Sequence, residues 1–294
     1  MADLAKQMSG FALPNLTRRG LGFSETRRVF SCLVVAAAGL LWTIALATLE
    51  PKIAGGQELS GQVERRGDQA NGGVFEDPQR EASRQRWAEE VSKLRALDEL
   101  ESYPDDAVLF FGSSSIRLWD TIAEDMAPMV PIRRGFGGAK SLDLAVFAPE
   151  LIPSHRYSAL VVFVANDIAG EEGKTDQNPD DVRNRLKEVW EVSRKHQPQA
   201  PLLLLEITPT DRRRHVWDQQ RALNHCLRDW TLTEPNVYFL PTAEYFLDAE
   251  DQVRSEFFGE DRLHLSRAGY RQWGTLIRRR LQELRGDESP HVAQ

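Results

Sequence analysis

An aspartate, a histidine and a serine stand where acyl transfer could be carried out. Near the C-terminus, Asp261-Arg262-Leu263-His264 sets a carboxylate three residues before an imidazole. Within a single turn that carboxylate can reach Nδ1 and fix the tautomer, leaving Nε2 free to take a proton from a serine. A candidate serine lies in residues 108–117, where an apolar run ends in Gly112-Ser113-Ser114-Ser115. A hydroxyl presented where a strand gives way to a helix N-terminus sits among unpaired backbone N–H groups, which suits a nucleophile or equally a bound phosphate. The phosphate reading lacks the Gly-Lys-Ser/Thr of a phosphate loop and a second glycine at the right spacing. An unactivated serine is a poor nucleophile at neutral pH, so it needs the base. Donors for a developing oxyanion are also at hand, in the Gly135-Phe136-Gly137-Gly138 cluster and in the side-chain amide of Asn166.

These residues are useful only if the fold gathers them. From residue 81 a helix is expected, with Trp87, Val91, Leu94 and Leu97 on one face, closed by the 102–106 segment that contains Pro104. Alternation follows: strands over 107–111, 130–134, 159–165, 201–207 and 237–240, with a short helix within 115–126 and helices over 141–151, 180–196 and 217–230. Residues 247–260 read as irregular, and 266–284 as an amphipathic helix capped by Ser266. Alternating apolar strands and helices mean an α/β fold, a parallel sheet covered on both faces. Sites in such open sheets form outside the carboxyl ends of the strands. Ser113–Ser115, Gly135–Gly138 and Asn166-Asp167 each follow a strand directly, so all three should share one edge. The loops 121–129, 170–179 and 208–216 are expected to shape the pocket.

Over roughly 87–284 the chain resembles the SGNH hydrolases, or GDSL-type esterases, in the branch whose nucleophile block reads Gly-Ser-Ser-Ser-Ile-Arg-Leu-Trp. The four blocks of that family occur in order. The resemblance implies that Ser114 is the nucleophile, His264 the base and Asp261 its orienting partner. It assigns the oxyanion to the Ser114 N–H, the Gly138 N–H and the Asn166 side chain. It further implies a flavodoxin-like three-layer α/β/α sandwich around a five-stranded parallel sheet, and hydrolysis of small esters without metal or cofactor. Three residues depart from the usual pattern. Ser113 replaces an Asp, as in the variant branch. Val164 stands where the third block has Gly, on the path that aims Asn166. Arg262 stands where Gly often separates Asp from His, a substitution that costs roughly 1 kcal/mol or more if the position needs φ > 0, and it brings a cation to that loop.

The N-terminus carries a separate message. Residues 29–49 are apolar apart from Ser31, Thr43 and Thr48 and hold no charge, long enough for a bilayer-spanning helix. Arg18, Arg19, Arg27 and Arg28 precede the run and Glu50 follows it, which puts residues 1–28 in the cytoplasm and the remainder outside. A retained signal-anchor is the expectation. The alternative is an exported, soluble protein, because residues 26–30 resemble a twin-arginine signal and Ala45-Leu46-Ala47 a cleavage site. Residues 50–78 read as a flexible linker, 79–286 as the hydrolase domain and 287–294 as a polar tail.

With a net charge of −7, the chain lacks the basic footprint of a nucleic-acid binder. The Arg212-Arg213-Arg214 and Arg278-Arg279-Arg280 triplets read as local, solvated surface. Cys32 and Cys226 cannot form a disulfide framework within the domain. No pair of histidines has the spacing of a metal site. Two functions fit: a serine esterase acting on small acyl esters, acetyl on a carbohydrate or related polar carrier above all, with lysophospholipase or thioesterase versions in the same class; or an anchored domain of the same fold that binds glycan or envelope components without turnover.

Overall fold

The computed structural model describes residues 77–286. The apolar run 29–49, the segments flanking it and the tail 287–294 lie outside the described residues. Among the described residues, no helix is long and apolar enough to cross a membrane.

Five strands form one sheet: β1 (Val108–Gly112), β2 (Pro131–Gly135), β3 (Ala159–Phe163), β4 (Leu202–Leu205) and β5 (Val237–Leu240). All neighbouring pairs are parallel, in the order β2-β1-β3-β4-β5. Every residue of β1, β3 and β4 is buried, because helices cover both faces and leave no solvated side to alternate toward. Along β1, Leu109 and Phe111 pack in a core with Val91, Leu144, Leu186 and Leu223. Val108 and Phe110 point the other way, among Ile116, Trp119, Met126, Trp273 and Ile277. The two cores define three layers. Helices α1 (Pro78–Leu100), α4 (Ser141–Leu151), α5 (Pro179–His196) and α6 (Trp217–Thr233) cover one face, and α2 (Ser114–Arg117), α3 (Ile122–Met126) and α7 (Arg267–Arg285) the other.

Several boundaries differ from the sequence reading. Helix α1 begins at Pro78 and not at 81, because Asp77 caps it by accepting from the Gln79 N–H at 2.9 Å and a proline is well placed in a first helical turn. Leu97 is 38 % exposed and leaves the buried face that Val91 holds. The single short helix expected within 115–126 is two, α2 and α3. Between them the chain turns so that Trp119 is fully buried, its Nε1 donating to Asp125 at 2.8 Å. The irregular stretch 247–260 contains one 3₁₀ turn, and a longer 3₁₀ segment, Asp211–Val216, precedes α6.

Strand β1 has β2 on one side and β3 on the other. The connection after β1 runs to one side, to β2, and the connection after β3 runs to the other, to β4; a crevice opens between them at the carboxyl ends of β1 and β3, the usual binding position of a doubly wound sheet. Ser114 follows β1 and Asn166 lies three residues beyond β3.

Candidate active site

Ser114 is the first residue of α2, held there by the two residues before it. Gly112 lies so close to β3 that a Cβ on it would sit 2.3 Å from the Phe163 carbonyl oxygen. Ser113 is buried and its N–H donates to that same carbonyl at 3.1 Å. The Ser113 carbonyl accepts from the N–H groups of Ile116 and Arg117, which closes the turn. The Ser114 N–H has no protein acceptor among the described residues. On the opposite side of α2, the Tyr270 hydroxyl donates to the Ser115 carbonyl at 2.9 Å, while Trp119 stacks on the Tyr270 ring at 5.4 Å.

The loop before α7 brings up the imidazole. His264 Nε2 lies 2.9 Å from Ser114 Oγ, and its Nδ1 lies 2.6 Å from Asp261 Oδ2. With Nδ1–H donating to the carboxylate, Nε2 is the acceptor that faces the serine hydroxyl. The other carboxylate oxygen, Oδ1, accepts from the Leu263 and His264 N–H groups, each at 3.0 Å. Burial works to raise the Asp261 carboxyl, but the hydrogen bonds from the His264 ring and these two N–H groups prevail and hold it below the ordinary carboxylate range.

The loop is closed by Gly259 N–H donating to the His264 carbonyl at 2.8 Å and Arg262 N–H to the Gly259 carbonyl at 2.9 Å, next to a bridge between Phe258 and Leu265. That closure places Arg262 at φ 53°, in the left-handed region. The position does require positive φ, a conformation that L residues other than glycine adopt at a cost. The Arg262 side chain is exposed.

Gly138 and Asn166 meet across the crevice. A Cβ on Gly138 would lie 4.0 Å from Asn166 Nδ2 and touch nothing else. The loop that carries Gly138 is fixed residue by residue. Gly137, at φ +30° and with no room for a Cβ against Trp87, donates its N–H to Glu90 at 2.8 Å. The Lys140 N–H goes to Asp143 at 2.8 Å, and the Ser141 N–H and hydroxyl go to Asp167, the hydroxyl at 2.7 Å. Asp167 is fully buried, which pushes its carboxyl up against these hydrogen bonds. The Gly138 N–H is left without a protein acceptor among the described residues, on the exposed side of the loop. Val164 does not displace Asn166: it is buried in the core beyond the last rung of β3, and Asn166 Nδ2 donates to the Ala139 carbonyl at 3.0 Å.

The cleft around Ser114 has a cavity volume of about 30 Å³. Ser114, Asn166, Thr208, Arg213, Leu263 and His264 are among its lining residues. Of the three loops expected to shape it, 208–216 contributes lining residues, whereas 121–129 and 170–179 do not. Sequence reasoning missed Arg213, which is buried within the cleft and not on solvated surface. It also missed Glu90 and Asp143 as supports of the glycine loop. The signal for Arg213 was its position: the strand-end rule that selected Ser114 and Asn166 applies equally to the segment after β4. Among the described residues, no group of three or more His, Cys, Asp or Glu side chains could hold a metal ion.

Ser114, His264 and Asp261 stand in hydrogen-bonded sequence at the switch point of a parallel α/β sheet, the order of groups that nucleophilic acyl transfer uses, while Gly138 lies outside the lining of the cleft around Ser114. The chain belongs to the GDSL-like lipase/acylhydrolase family, whose model matches residues 102–272, and it is a carboxylic ester hydrolase of that family. Solved structures share the fold at low sequence identity. A GDSL-like lipase from Bacteroides thetaiotaomicron is 17% identical, with a TM-score of 0.54 over 68% of this chain and 97% of that one. A lipase/acylhydrolase from Enterococcus faecalis is 20% identical, with a TM-score of 0.50 over 64% of this chain and 100% of that one. A Streptococcus pneumonia protein solved as a candidate platelet activating factor is 20% identical, with a TM-score of 0.55 over 68% and 95%. No curated protein matches the chain.

Proposed function

We propose that the chain hydrolyses esters of short acyl groups through nucleophilic attack by Ser114. His264 takes the serine proton at Nε2 as Oγ bonds to the acyl carbon, and Asp261 holds the ring in that tautomer and stabilises the imidazolium. The oxyanion is received by the Ser114 and Gly138 N–H groups and the Asn166 amide. His264 then returns its proton to the leaving alkoxide; water, deprotonated in turn by His264, bonds to the acyl carbon, and Ser114 Oγ takes that proton back as its bond to the acyl carbon breaks and the acid leaves. The observation that carries this reading is the continuous chain from Ser114 Oγ through His264 to Asp261, at 2.9 and 2.6 Å.

The acyl group is small, acetyl foremost. A cavity of about 30 Å³ is only two or three times the ~10–15 Å³ that a single water molecule requires by the same measure. A cavity of this size favours a short acyl chain beside the serine. The alcohol would be a carbohydrate or a related polar carrier. A panel of esters graded from acetyl to octanoyl on one alcohol, run on the full-length chain with Ser114→Ala as control, tests this. Falling kcat/KM beyond propionyl supports it, whereas a preference for octanoyl, or equal turnover by the alanine variant, sinks it.

The apolar run 29–49 would tether the enzyme with its catalytic domain, residues 79–286, outside the cytoplasm. The basis is Arg18, Arg19, Arg27 and Arg28 before the run against Glu50 and the single Lys52 directly after it. Protease added to intact cells should then digest the domain, and protection of the domain in intact cells would contradict this placement.

A further inference from the structure

Arg213 is buried, and its guanidinium reaches two acceptors beyond the end of β3. Nη1 donates to the Ala165 carbonyl at 2.8 Å and Nη2 to Asn166 Oδ1 at 2.7 Å. It forms no ion pair among the described residues, and Glu171 and Asp176 act on it only from a distance. Burying an arginine without a carboxylate partner is costly. What the fold gains in return is legible in the Asn166 amide.

That amide has one acceptor oxygen and two N–H donors. Arg213 occupies the oxygen, and the Ala139 carbonyl occupies one N–H at 3.0 Å. One N–H remains, beside Gly138. A flipped amide would turn its oxygen toward the Ala139 carbonyl and its NH₂ toward the guanidinium, so that both contacts become repulsive. It would also present an acceptor to the oxyanion.

The flanking residues of the same segment secure the arginine. Arg212 N–H donates to the Arg262 carbonyl at 3.2 Å, Arg214 to the Asp251 carbonyl at 2.8 Å, and His215 Nε2 lies 3.2 Å from the Gly170 carbonyl. Thr210 caps the turn by accepting from the Arg213 N–H at 3.3 Å. The segment thus ties the Asp261–His264 loop to the Asn166 loop.

We propose that Arg213 is a positioning residue of the oxyanion hole: it locks the Asn166 side chain with a free N–H toward the developing charge, and acts through that amide alone. This rests on the assignment of Asn166 to the oxyanion made above. Two consequences separate it from a merely structural role. Its loss should lower kcat with little change in KM, because the donor matters most when the oxyanion forms. Its loss should also matter only while Asn166 is present.

The test is a double-mutant cycle on the full-length chain with a short acyl ester: wild type, Asn166→Ala, Arg213→Met and both together. Removing one oxyanion donor typically costs about 10²–10³ in kcat, and this sets the ceiling for Arg213→Met. The expected result is a fall in kcat within that ceiling, less than about twofold further loss when Arg213→Met is added to Asn166→Ala, and partial recovery in Arg213→Lys, whose ammonium can reach one of the two acceptors. Thermal unfolding accompanies each variant, and if Arg213→Met does not fold, the cycle is completed with Arg213→Lys. Equal fold-losses in both backgrounds, or a change confined to KM, overturn the proposal. Full activity in Asn166→Ala overturns the oxyanion assignment itself, whatever Arg213 does.

Discussion

Replacing Arg262 by glycine should stabilise this enzyme, although the residue sits between two members of the proposed triad. Arg262 holds φ 53°, and the left-handed conformation costs an L residue roughly 1–2 kcal/mol. Glycine removes that strain and returns about 0.4–1 kcal/mol through the greater freedom of its unfolded chain. The net is a gain of about 0.5–1 kcal/mol. Nothing else is lost. The Arg262 side chain is exposed, and the contacts to Gly259 and Arg212 are made by its backbone. For a domain of 150–250 residues, 1 kcal/mol moves Tm by about 2–4 °C, so Arg262→Gly should raise Tm by about 1–4 °C in a calorimetric scan. Arg262→Val should lower it, because a branched Cβ tolerates positive φ least. Since the Asp261 carboxylate keeps its bonds to the Leu263 and His264 N–H groups, kcat should stay within about twofold in the glycine variant. A lower Tm for Arg262→Gly would refute the strain argument and show that the arginine side chain itself supports the loop.

The rate should depend on pH in one direction. His264 accepts the serine proton only when neutral, so kcat/KM should fall on acidification; because Asp261 is held below the usual carboxylate range, its ionised form persists to lower pH than an ordinary aspartate's, and the fall should follow a single ionisation. A rate unchanged on acidification with chemistry limiting, or a profile that needs two protons, would contradict the arrangement. Gly137→Ala should destabilise the fold by about 1–3 kcal/mol through overpacking, since the added Cβ would meet the Trp87 ring at 1.9 Å, and urea titration will show whether it does.

What the sequence disclosed and what it hid follow from one distinction. Strands such as 159–163 are short unbroken apolar runs, and a strand buried on both faces can hardly read otherwise. Asp261 and His264 are three residues apart, so their contact is local and visible in the spacing. The split between α2 and α3 was not visible, because it depends on where the indole of Trp119 finds Asp125. Nor was the start of α1 at Pro78, where the Asp77 cap lies ahead of the hydrophobic periodicity. Arg213 is the sharpest case. In the chain it is the middle of three arginines, a pattern that normally marks a solvated surface. Its burial depends on the 3₁₀ turn over Asp211–Val216 folding against the Asn166 loop, a contact 47 residues distant in sequence.

The central claim is that Ser114 is the nucleophile, and one measurement addresses it most directly. The full-length chain would be treated with a fluorophosphonate, digested, and the modified peptide sequenced by mass spectrometry. The account predicts a single adduct on Ser114 Oγ, formed more slowly as the pH falls and absent from Ser114→Ala. An adduct on another serine, or a folded protein that hydrolyses esters without reacting at Ser114, would contradict it.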